Sequence, residues 1–324
     1  MPTIALDVPS IPNLEMVRAA ARISVSTSIE CLLVGDEGRI QAVLDELEYN
    51  PEQIGVLPGG LGTETALTIG LRAVARGDAD AMVSAGNAHE YVTACSHTLG
   101  LLPGVRRPAL AAVYPRQTEY PGQDRLALLL DAGATPRCGA PELVQYALMG
   151  AAYARRISKI AAPRIGLLAM GRDMVRHDEI LASANAALAA HPALTYVGEV
   201  EGHELVRGRV DVIVCEGMVG GVVAGLMEGF TGALVDVARA PGEQRLVWRV
   251  GMRLFAEGLE RVQALTDFGR YGGAPILGFD HVVIKCQARA DVTALGNAIK
   301  LAAKAVRDGV PAAIAAALGG PAAP

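Results

Sequence analysis

The segment around Asn87 contains the residues best suited, by type and order, to phosphate or acyl chemistry. An apolar run ends there in Ser84-Ala85-Gly86-Asn87, and a segment of helical character follows. Proteins bind phosphate through backbone N–H groups at a helix start, and Gly86 and Asn87 could supply such donors. Acyl transfer also needs a donor for the oxyanion. Asn87 is the best side-chain candidate for that role, and Ser84 is a second.

His89, Glu90 and Cys95 follow on the same predicted helix. His89 and Glu90 stand in its first turn, beside the expected cleft, where either could act as a general base or as a donor. Cys95 is a possible nucleophile for a covalent step, but it lies nearly two helical turns from His89, so direct pairing is not expected. The interpretation that we favour for Cys95 is a small buried core residue.

Two carboxylates, Asp131 and Glu216, also follow apolar runs. Either could accept a proton or bind a hydroxyl group or an amine. Either could instead cap a neighbouring helix, which is the commoner role of a lone carboxylate at a strand end. Glycines end the same runs and let the backbone approach a ligand closely. These glycines are Gly35, Gly86, Gly133, Gly171 and Gly217.

Short apolar runs and helical segments alternate along the chain and must position these residues. Each run has four to six apolar residues bounded by turn formers, which is typical of strands buried on both faces. The runs lie at 3–8, 29–36, 80–87, 125–133, 163–171, 194–200, 210–217 and 281–286, and helical periodicity lies at 14–22, 39–47, 63–74, 142–157, 178–188 and 292–306. The alternation predicts a three-layer α/β/α fold with a mostly parallel sheet, and a ligand cleft at the carboxyl ends of its strands.

Residues 220–266 break this alternation and predict a protruding helical hairpin. A weakly charged helix comes first, Pro241-Gly242 interrupts it, and an apolar segment with interspersed arginines follows. The apolar residues of that segment, among them Leu246, Trp248, Leu254 and Phe255, exceed what one face of a surface helix buries. They predict contact with a second subunit or with a membrane surface. The small, uncharged residues 309–324 predict a flexible tail.

The composition excludes several classes of protein. With 324 residues, 51% of them apolar and 19% charged, the chain is long and apolar enough for a folded domain rather than a disordered one. A formal net charge of −5 without a basic block argues against nucleic acid as a partner. The five scattered cysteines form neither a disulfide framework nor a metal site, and we expect no metal. No signal peptide or membrane-spanning run is visible, so a cytoplasmic location is expected.

Eight blocks occur in a characteristic order: LVGDE (33–37), DADAMVSAGN (78–87), RRPALA (106–111), LLLDAGA (128–134), LVQYALMGAAYA (143–154), PRIGLLAMG (163–171), VDVIVCEG (210–217) and YGGAPILG (271–278). In these blocks the chain resembles the PlsX-type acyl-ACP:phosphate acyltransferases of bacterial phospholipid synthesis. The resemblance runs from about residue 3 to about residue 300.

The resemblance implies one acyltransferase domain over residues 1–308, with a fold of the isocitrate or isopropylmalate dehydrogenase type. It implies a homodimer whose hairpin touches the membrane peripherally, from the cytoplasmic side. The implied activity moves an acyl group from acyl carrier protein to inorganic phosphate, without a metal or organic cofactor. Our catalytic candidates are Asn87, His89, Glu90, Asp131 and Glu216, and our candidates for binding substrate or phosphate are Ser84, Gly86, Gly133, Gly171, Arg172, Gly217 and Gly220.

Several polar positions depart from the family pattern. Asp7 is followed by Val-Pro-Ser rather than by a glycine pair and a second aspartate, 58–67 contains no Lys or Arg, and Gln287-Ala288-Arg289 replaces a His-Gly-Ser sequence. Four hypotheses are therefore open: the family reaction with a changed site, acyl transfer to another acceptor in specialised metabolism, a phosphate-dependent component like that of glycine-reductase systems, in which Cys95 would matter, and a non-catalytic partner protein.

Overall fold

The structure, a computed structural model, describes residues 1–8, 14–59, 64–118, 123–171, 175–239 and 272–319. Its described strands form two sheets. The first sheet has the order β3-β2-β1-β4-β12-β11-β5. Its strands are β1 (Thr3–Asp7), β2 (Glu30–Gly35), β3 (Ile54–Pro58), β4 (Ala81–Ser84), β5 (Ala109–Leu110), β11 (Ala274–Leu277) and β12 (Val282–Lys285). The first five strands of this order, from β3 across to β12, are parallel to their neighbours. Strand β11 is antiparallel to β12, and β5 is antiparallel to β11.

The second sheet has the order β6-β7-β10-β8-β9. Its strands are β6 (Ala112–Pro115), β7 (Leu126–Leu130), β8 (Arg164–Leu168), β9 (Thr195–Val200) and β10 (Val212–Val214). All neighbouring pairs are parallel except β6 with β7. The prediction of a mostly parallel α/β fold is confirmed, but the strands divide between two sheets instead of forming one.

Nine α-helices lie within the described ranges. They are α1 (Glu15–Ser26), α2 (Glu37–Leu44), α3 (Ala66–Ala75), α4 (Ala88–Thr98), α5 (Ala140–Ile157), α6 (Glu179–Ala190), α7 (Gly217–Arg239), α8 (Val292–Arg307) and α9 (Val310–Ala317), with short 3-10 helices at Pro51–Gln53 and Gly202–Arg207. Several start at residues whose side-chain oxygen accepts a first-turn N–H, as helix caps do: Asp36, Thr65, Asn87, Asp178 and Asp291.

The central strand β1 shows why helices cover both faces of the first sheet. Ile4 and Leu6 are fully buried in a core with α1, α2 and α8, while Ala5 is buried on the other face with α3 and α4. Alternate residues of a strand point to opposite faces, so an uninterrupted apolar run needs a covering layer on each side. The first core continues through α5 to Leu128 and Leu130 of the second sheet.

One prediction differs from the structure at the end of the chain. The tail predicted for 309–324 begins instead with helix α9, in which Val310 and Ile314 are buried and which packs against α5. Two apolar residues at helical spacing suffice to anchor a short helix on an existing core, even when its composition is mostly alanine. Of the predicted hairpin at 220–266, only the first arm, α7, lies within the described residues.

Candidate functional site

A cleft of about 270 Å³ lies where the two sheets meet. Its wall is formed by residues at the start of α4, at the end of β12, in the loop after β7 and on α7. Small apolar residues form most of its wall, and the polar side chains are Lys285, Gln287 and Glu228. The lining residues are Ala88, Leu110, Ala112, Val113, Ala132, Gly221, Ala224, Gly225, Glu228, Gly273, Ala274, Lys285, Cys286, Gln287, Ala290 and Ala294. Its position at the carboxyl ends of parallel strands is that of ligand sites in open α/β folds.

Asp7, Ser84 and Lys285 form a row across three adjacent strand ends, which we call the strand-end row. Ser84 lies opposite Lys285 in the pairing of β4 with β12, and β1 pairs with β4 one residue before Asp7. In-register residues of parallel strands share a face, and the alternation of the two cores shows that this face carries α3 and α4. Lys285 therefore projects from the row beside the start of α4.

Ser84 is fully buried, and its hydroxyl group is used within the fold. The Oγ donates to Oδ2 of Asp7 at 2.7 Å and accepts from the backbone N–H of Gly86 at 3.1 Å. Burial raises the pKa of Asp7, and the Ser84 hydrogen bond acts in the opposite direction. These bonds fix the loop before α4, so Ser84 and Gly86, both predicted to bind phosphate, contact each other in this structure.

Asn87 caps helix α4. Its Oδ1 accepts from the N–H of His89 at 2.8 Å and of Glu90 at 3.3 Å. Ala88, the next residue, lines the cleft, so the positive end of the helix dipole is at the cleft wall. His89 and Glu90 are exposed, and neither is among the residues that line the cleft. Both residues lie in the first turn of this helix, as the sequence predicts, but their side chains are exposed to solvent.

Asp131, predicted as catalytic, is completely buried beneath the loop that follows β7. Its carboxylate accepts from four backbone N–H groups at 2.6 to 3.0 Å, those of Leu110, Gly133, Ala134 and Thr135. Burial raises its pKa, and the four N–H groups oppose that change. With all four bonds made inside the protein, Asp131 shapes the loop that carries Ala132 to the cleft.

The predicted glycines mostly serve the packing beneath the cleft. Gly220 lies so close to the carbonyl oxygen of Asp131 that a Cβ there would overlap it. The N–H of Gly217 donates to the carbonyl of Thr135, and Gly133 has a φ of +121° that favours glycine. The glycines that do line the cleft are Gly221, Gly225 and Gly273. Gly171 is not among the residues that line the cleft.

Glu216 lies at the start of α7, half-buried, and faces the exposed Arg137 at 3.6 Å. Exposed ion pairs of this kind contribute little stability. Glu216 is not among the residues that line the cleft.

Lys285 is the residue that sequence reasoning missed. It is half-buried in the cleft, and no hydrogen bond or ion pair holds its ammonium group within the described ranges. The available signal was a lysine one residue before the end of the apolar run 281–286, at the same edge as Asn87. An unneutralised cation beside a helix start is suited to bind an anionic substrate.

Cys95 is fully buried in the core between α3, α4 and the first sheet. Burial raises the pKa of its thiol strongly, so the thiolate that a nucleophile requires is suppressed. This is the environment of a small core residue. Among the described residues, no group of three His, Cys, Asp or Glu side chains is placed to hold a metal ion.

The remaining site predictions fall outside the described residues. They are Arg172 and the hairpin residues Leu246, Trp248, Leu254 and Phe255. In the parts of the chain that the structure describes, no helix is both long enough and apolar enough to cross a membrane.

Known proteins resemble the chain over nearly its full length. The profile of the family described as fatty acid synthesis protein matches residues 60–313. The phosphate acyltransferase of Moorella thermoacetica is 33% identical over 313 residues, which cover 93% of this chain and 90% of that protein. The phosphate acyltransferase of Myxococcus xanthus is 34% identical over 305 residues, which cover 90% and 85%.

Solved structures with low sequence identity share the fold. A phosphotransacetylase from Streptococcus pyogenes superposes with a TM-score of 0.64 at 16% identity and covers 94% of each chain. A branched-chain phosphotransacylase from Enterococcus faecalis has a TM-score of 0.59 at 14% identity, with 94% of this chain and 99% of that chain covered. A 4-hydroxythreonine-4-phosphate dehydrogenase from Klebsiella pneumoniae has a TM-score of 0.56 at 12% identity, with 94% and 100% covered. At these identities the likeness concerns architecture only.

Proposed function

The chain belongs to the fatty acid synthesis protein family, to which phosphate acyltransferases belong, and from this premise we propose that it moves an acyl group from the thioester of acyl carrier protein to inorganic phosphate. The product is an acyl phosphate. Membership in this family makes the chain a transferase enzyme. The acyl carrier protein, the phosphate acceptor and the site residues are parts of the proposal.

The observation that carries the proposal is the unneutralised Lys285 ammonium beside the start of α4, in a cleft whose wall is otherwise mostly Ala and Gly. The cation and the positive end of the α4 dipole supply the positive charge that phosphate requires. The small side chains leave room for an apolar acyl group, and the cavity of about 270 Å³ is open. A cleft filled by its own side chains would instead have favoured a non-catalytic protein.

In the proposed reaction, phosphate attacks the thioester directly. A phosphate oxygen forms a bond to the carbonyl carbon, the carbon–sulfur bond breaks, and the carrier thiolate leaves and takes up a proton from solvent. Lys285 and the α4 start hold the phosphate, and Asn87 is the side-chain donor at that helix start. Phosphate is already a nucleophile at neutral pH, so this chemistry needs positioning rather than a protein nucleophile. The buried environment of Cys95 agrees with such a route.

Radiolabelled phosphate with palmitoyl-ACP provides the test. We expect acyl phosphate from the wild type, and kcat/KM lower by about tenfold to a hundredfold in Lys285→Met, because a hydrogen bond to a charged group is worth about 1.5–3 kcal/mol. Lys300→Met removes an exposed lysine of α8 and is the matched control. No acyl phosphate from correctly folded wild-type protein would contradict the proposal.

A second acceptor class is favoured by one observation, the exposed Glu228 in the cleft wall. A carboxylate in the acceptor site repels phosphate but attracts an amine, and Lys285 could then bind a carboxylate of the same acceptor. Acyl transfer to an amino acid would follow. An assay with palmitoyl-ACP labelled in its acyl group and with unlabelled amino acids distinguishes this function, because the product is an amide that resists hydroxylamine, whereas an acyl phosphate does not.

We also propose that the chain is a cytoplasmic homodimer with peripheral membrane contact through the hairpin. Val222, Leu226 and Phe230 of α7 recur every four residues and are 65%, 67% and 60% exposed. Such a stripe requires a cover. Co-sedimentation with liposomes tests the membrane part: wild type should bind and Trp248→Glu should not, while Val25→Glu, at an exposed apolar residue of α1, should still bind. Equal binding by wild type and Trp248→Glu contradicts it.

A further inference from the structure

A second, apolar cavity of about 60 Å³ adjoins the cleft at Val113. Its lining comes from β6, β7, α5 and α8, and its polar side chains are those of Tyr153, Ser158 and Asp211. The lining residues are Val113, Leu126, Ala127, Leu128, Tyr153, Ala154, Ile157, Ser158, Ile160, Asp211 and Leu301. The Asp211 carboxylate is paired with Arg116 at 2.6 Å and with Arg164 at 3.2 Å, so its charge is neutralised within the fold.

Val113 lines both cavities. It lies on β6, opposite Leu128 of β7, and Leu128 lines the second cavity. Its neighbour Ala112 lines the cleft. The two spaces therefore adjoin at Val113, whose side chain stands at their common border.

Helix α8 runs past the cleft first and then past the second cavity. Ala294 lines the cleft, and Leu301, seven residues later, lines the second cavity. Seven residues are about two turns, so both residues lie on one face of the helix, about 10 Å apart. The cleft, Val113 and the second cavity thus lie in line along this helix face, with the polar Lys285 at the cleft.

We propose that the second cavity receives the end of a long acyl chain that passes Val113, so that Val113 and Leu301 determine the chain length that the enzyme prefers. This inference rests on the proposed acyl transfer. The second cavity has about the volume of two water molecules, and hence of about two methylene groups. Each buried methylene group raises affinity about fourfold. Loss of the second cavity should therefore lower the affinity for a long donor roughly tenfold relative to that for a short one.

The test is the ratio of kcat/KM for palmitoyl-ACP to that for butyryl-ACP. Leu301→Phe fills the second cavity without touching the cleft wall, and we expect the ratio to fall by about tenfold. Val113→Ala widens the passage, and the ratio should rise or shift toward longer donors. Val197→Ala, the same substitution on β9 outside both cavities, should leave the ratio unchanged. An unchanged ratio in both Leu301→Phe and Val113→Ala would overturn the inference.

A binding measurement separates this inference from the proposed reaction. Displacement of a fluorescent fatty acid by fatty acids of 4 to about 16 carbons reports chain-length preference without turnover. If no donor is turned over but Leu301→Phe still weakens the long acids selectively, the proposed reaction fails and the acyl cavity stands. If turnover occurs and neither readout responds to the variants, the cavity proposal fails and the reaction stands.

Discussion

Ser84 donates a hydrogen bond of 2.7 Å to Oδ2 of Asp7, and so ties the ends of two neighbouring parallel strands at the point where the sheet order reverses direction. From β1 the chain passes outward to β2 and β3, and then returns to β4 on the other side. Such switch points leave a crevice outside the strand ends. Here the Asp7–Ser84 pair lies beneath that crevice, and Lys285, the next member of the strand-end row, lines it.

Asp7→Asn should change how stability depends on pH. Burial raises the folded-state pKa of Asp7 above 3.8, so the wild type loses stability as pH rises from about 3.8 through the folded pKa, and the loss is constant above it. Asn cannot ionise and keeps an oxygen that accepts from Ser84. The variant should therefore gain stability relative to wild type as pH rises through this window.

Urea unfolding between pH 4 and pH 7.5 measures that difference. Asp45→Asn removes a charge from an exposed position and provides the control. A difference between wild type and Asp7→Asn that is the same at every pH would show that Asp7 does not titrate in this window.

Asp211→Asn should destabilise the protein by about 3–5 kcal/mol at neutral pH, because Arg116 would remain buried without a full counter-charge. Burial acts to raise the pKa of Asp211, but the hydrogen bonds from Arg164 and Arg116 outweigh it and hold the pKa below the ordinary value. Its stabilising contribution is therefore complete above about pH 3.8 and is lost as pH falls through the folded pKa.

Asp308→Asn is the comparison for this prediction. Asp308 bonds Lys159 and Lys304 near the surface, where ion pairs contribute within about 1 kcal/mol. Chemical denaturation of both variants should give a much larger loss for Asp211→Asn. Similar losses would mean that the buried network has no special energetic role.

Gly220→Ala and Gly229→Ala, on the same helix, should have opposite effects. A Cβ at Gly220 overlaps the carbonyl oxygen of Asp131, so α7 or the loop must shift, at a cost of about 1–3 kcal/mol. A Cβ at Gly229 meets no atom within 4 Å, and alanine there should stabilise the helix by about 1 kcal/mol. Thermal unfolding of the pair measures both, and equal effects would contradict the close packing of α7 on the Asp131 loop.

The five thiols should all react slowly in the native protein at pH 7. Cys31, Cys95, Cys215 and Cys286 are buried, and although Cys138 is partly accessible, burial raises its pKa to about 12. Labelling with a thiol reagent should be slow, should rise about tenfold per pH unit with the thiolate fraction, and should disappear in Cys138→Ser. Rapid labelling of Cys95 at pH 7 would restore it as a nucleophile candidate.

Much of the architecture followed from the sequence because it depends on local patterns. The run 3–8 predicted β1 since a strand with both faces covered needs apolar residues at every position, and the helical period of 292–306 predicted α8 in the same way. The strands missed were β3, β5, β6 and β11, which have weak local signals, and β3 and β6 each end in a proline. Strand β5 has two residues, and β11 contains Pro275 after a glycine pair.

The sequence by itself determined the α/β class, the family and the helix that begins beside Asn87. The tertiary structure alone decided which candidates meet, because register and strand order depend on contacts between residues far apart in the chain. It placed Ser84 on Asp7, enclosed Asp131 in four backbone N–H groups, turned His89 and Glu90 outward, and left Lys285 in the cleft. A side chain's type limits its chemistry, whereas its burial and neighbours decide whether that chemistry is available to a substrate.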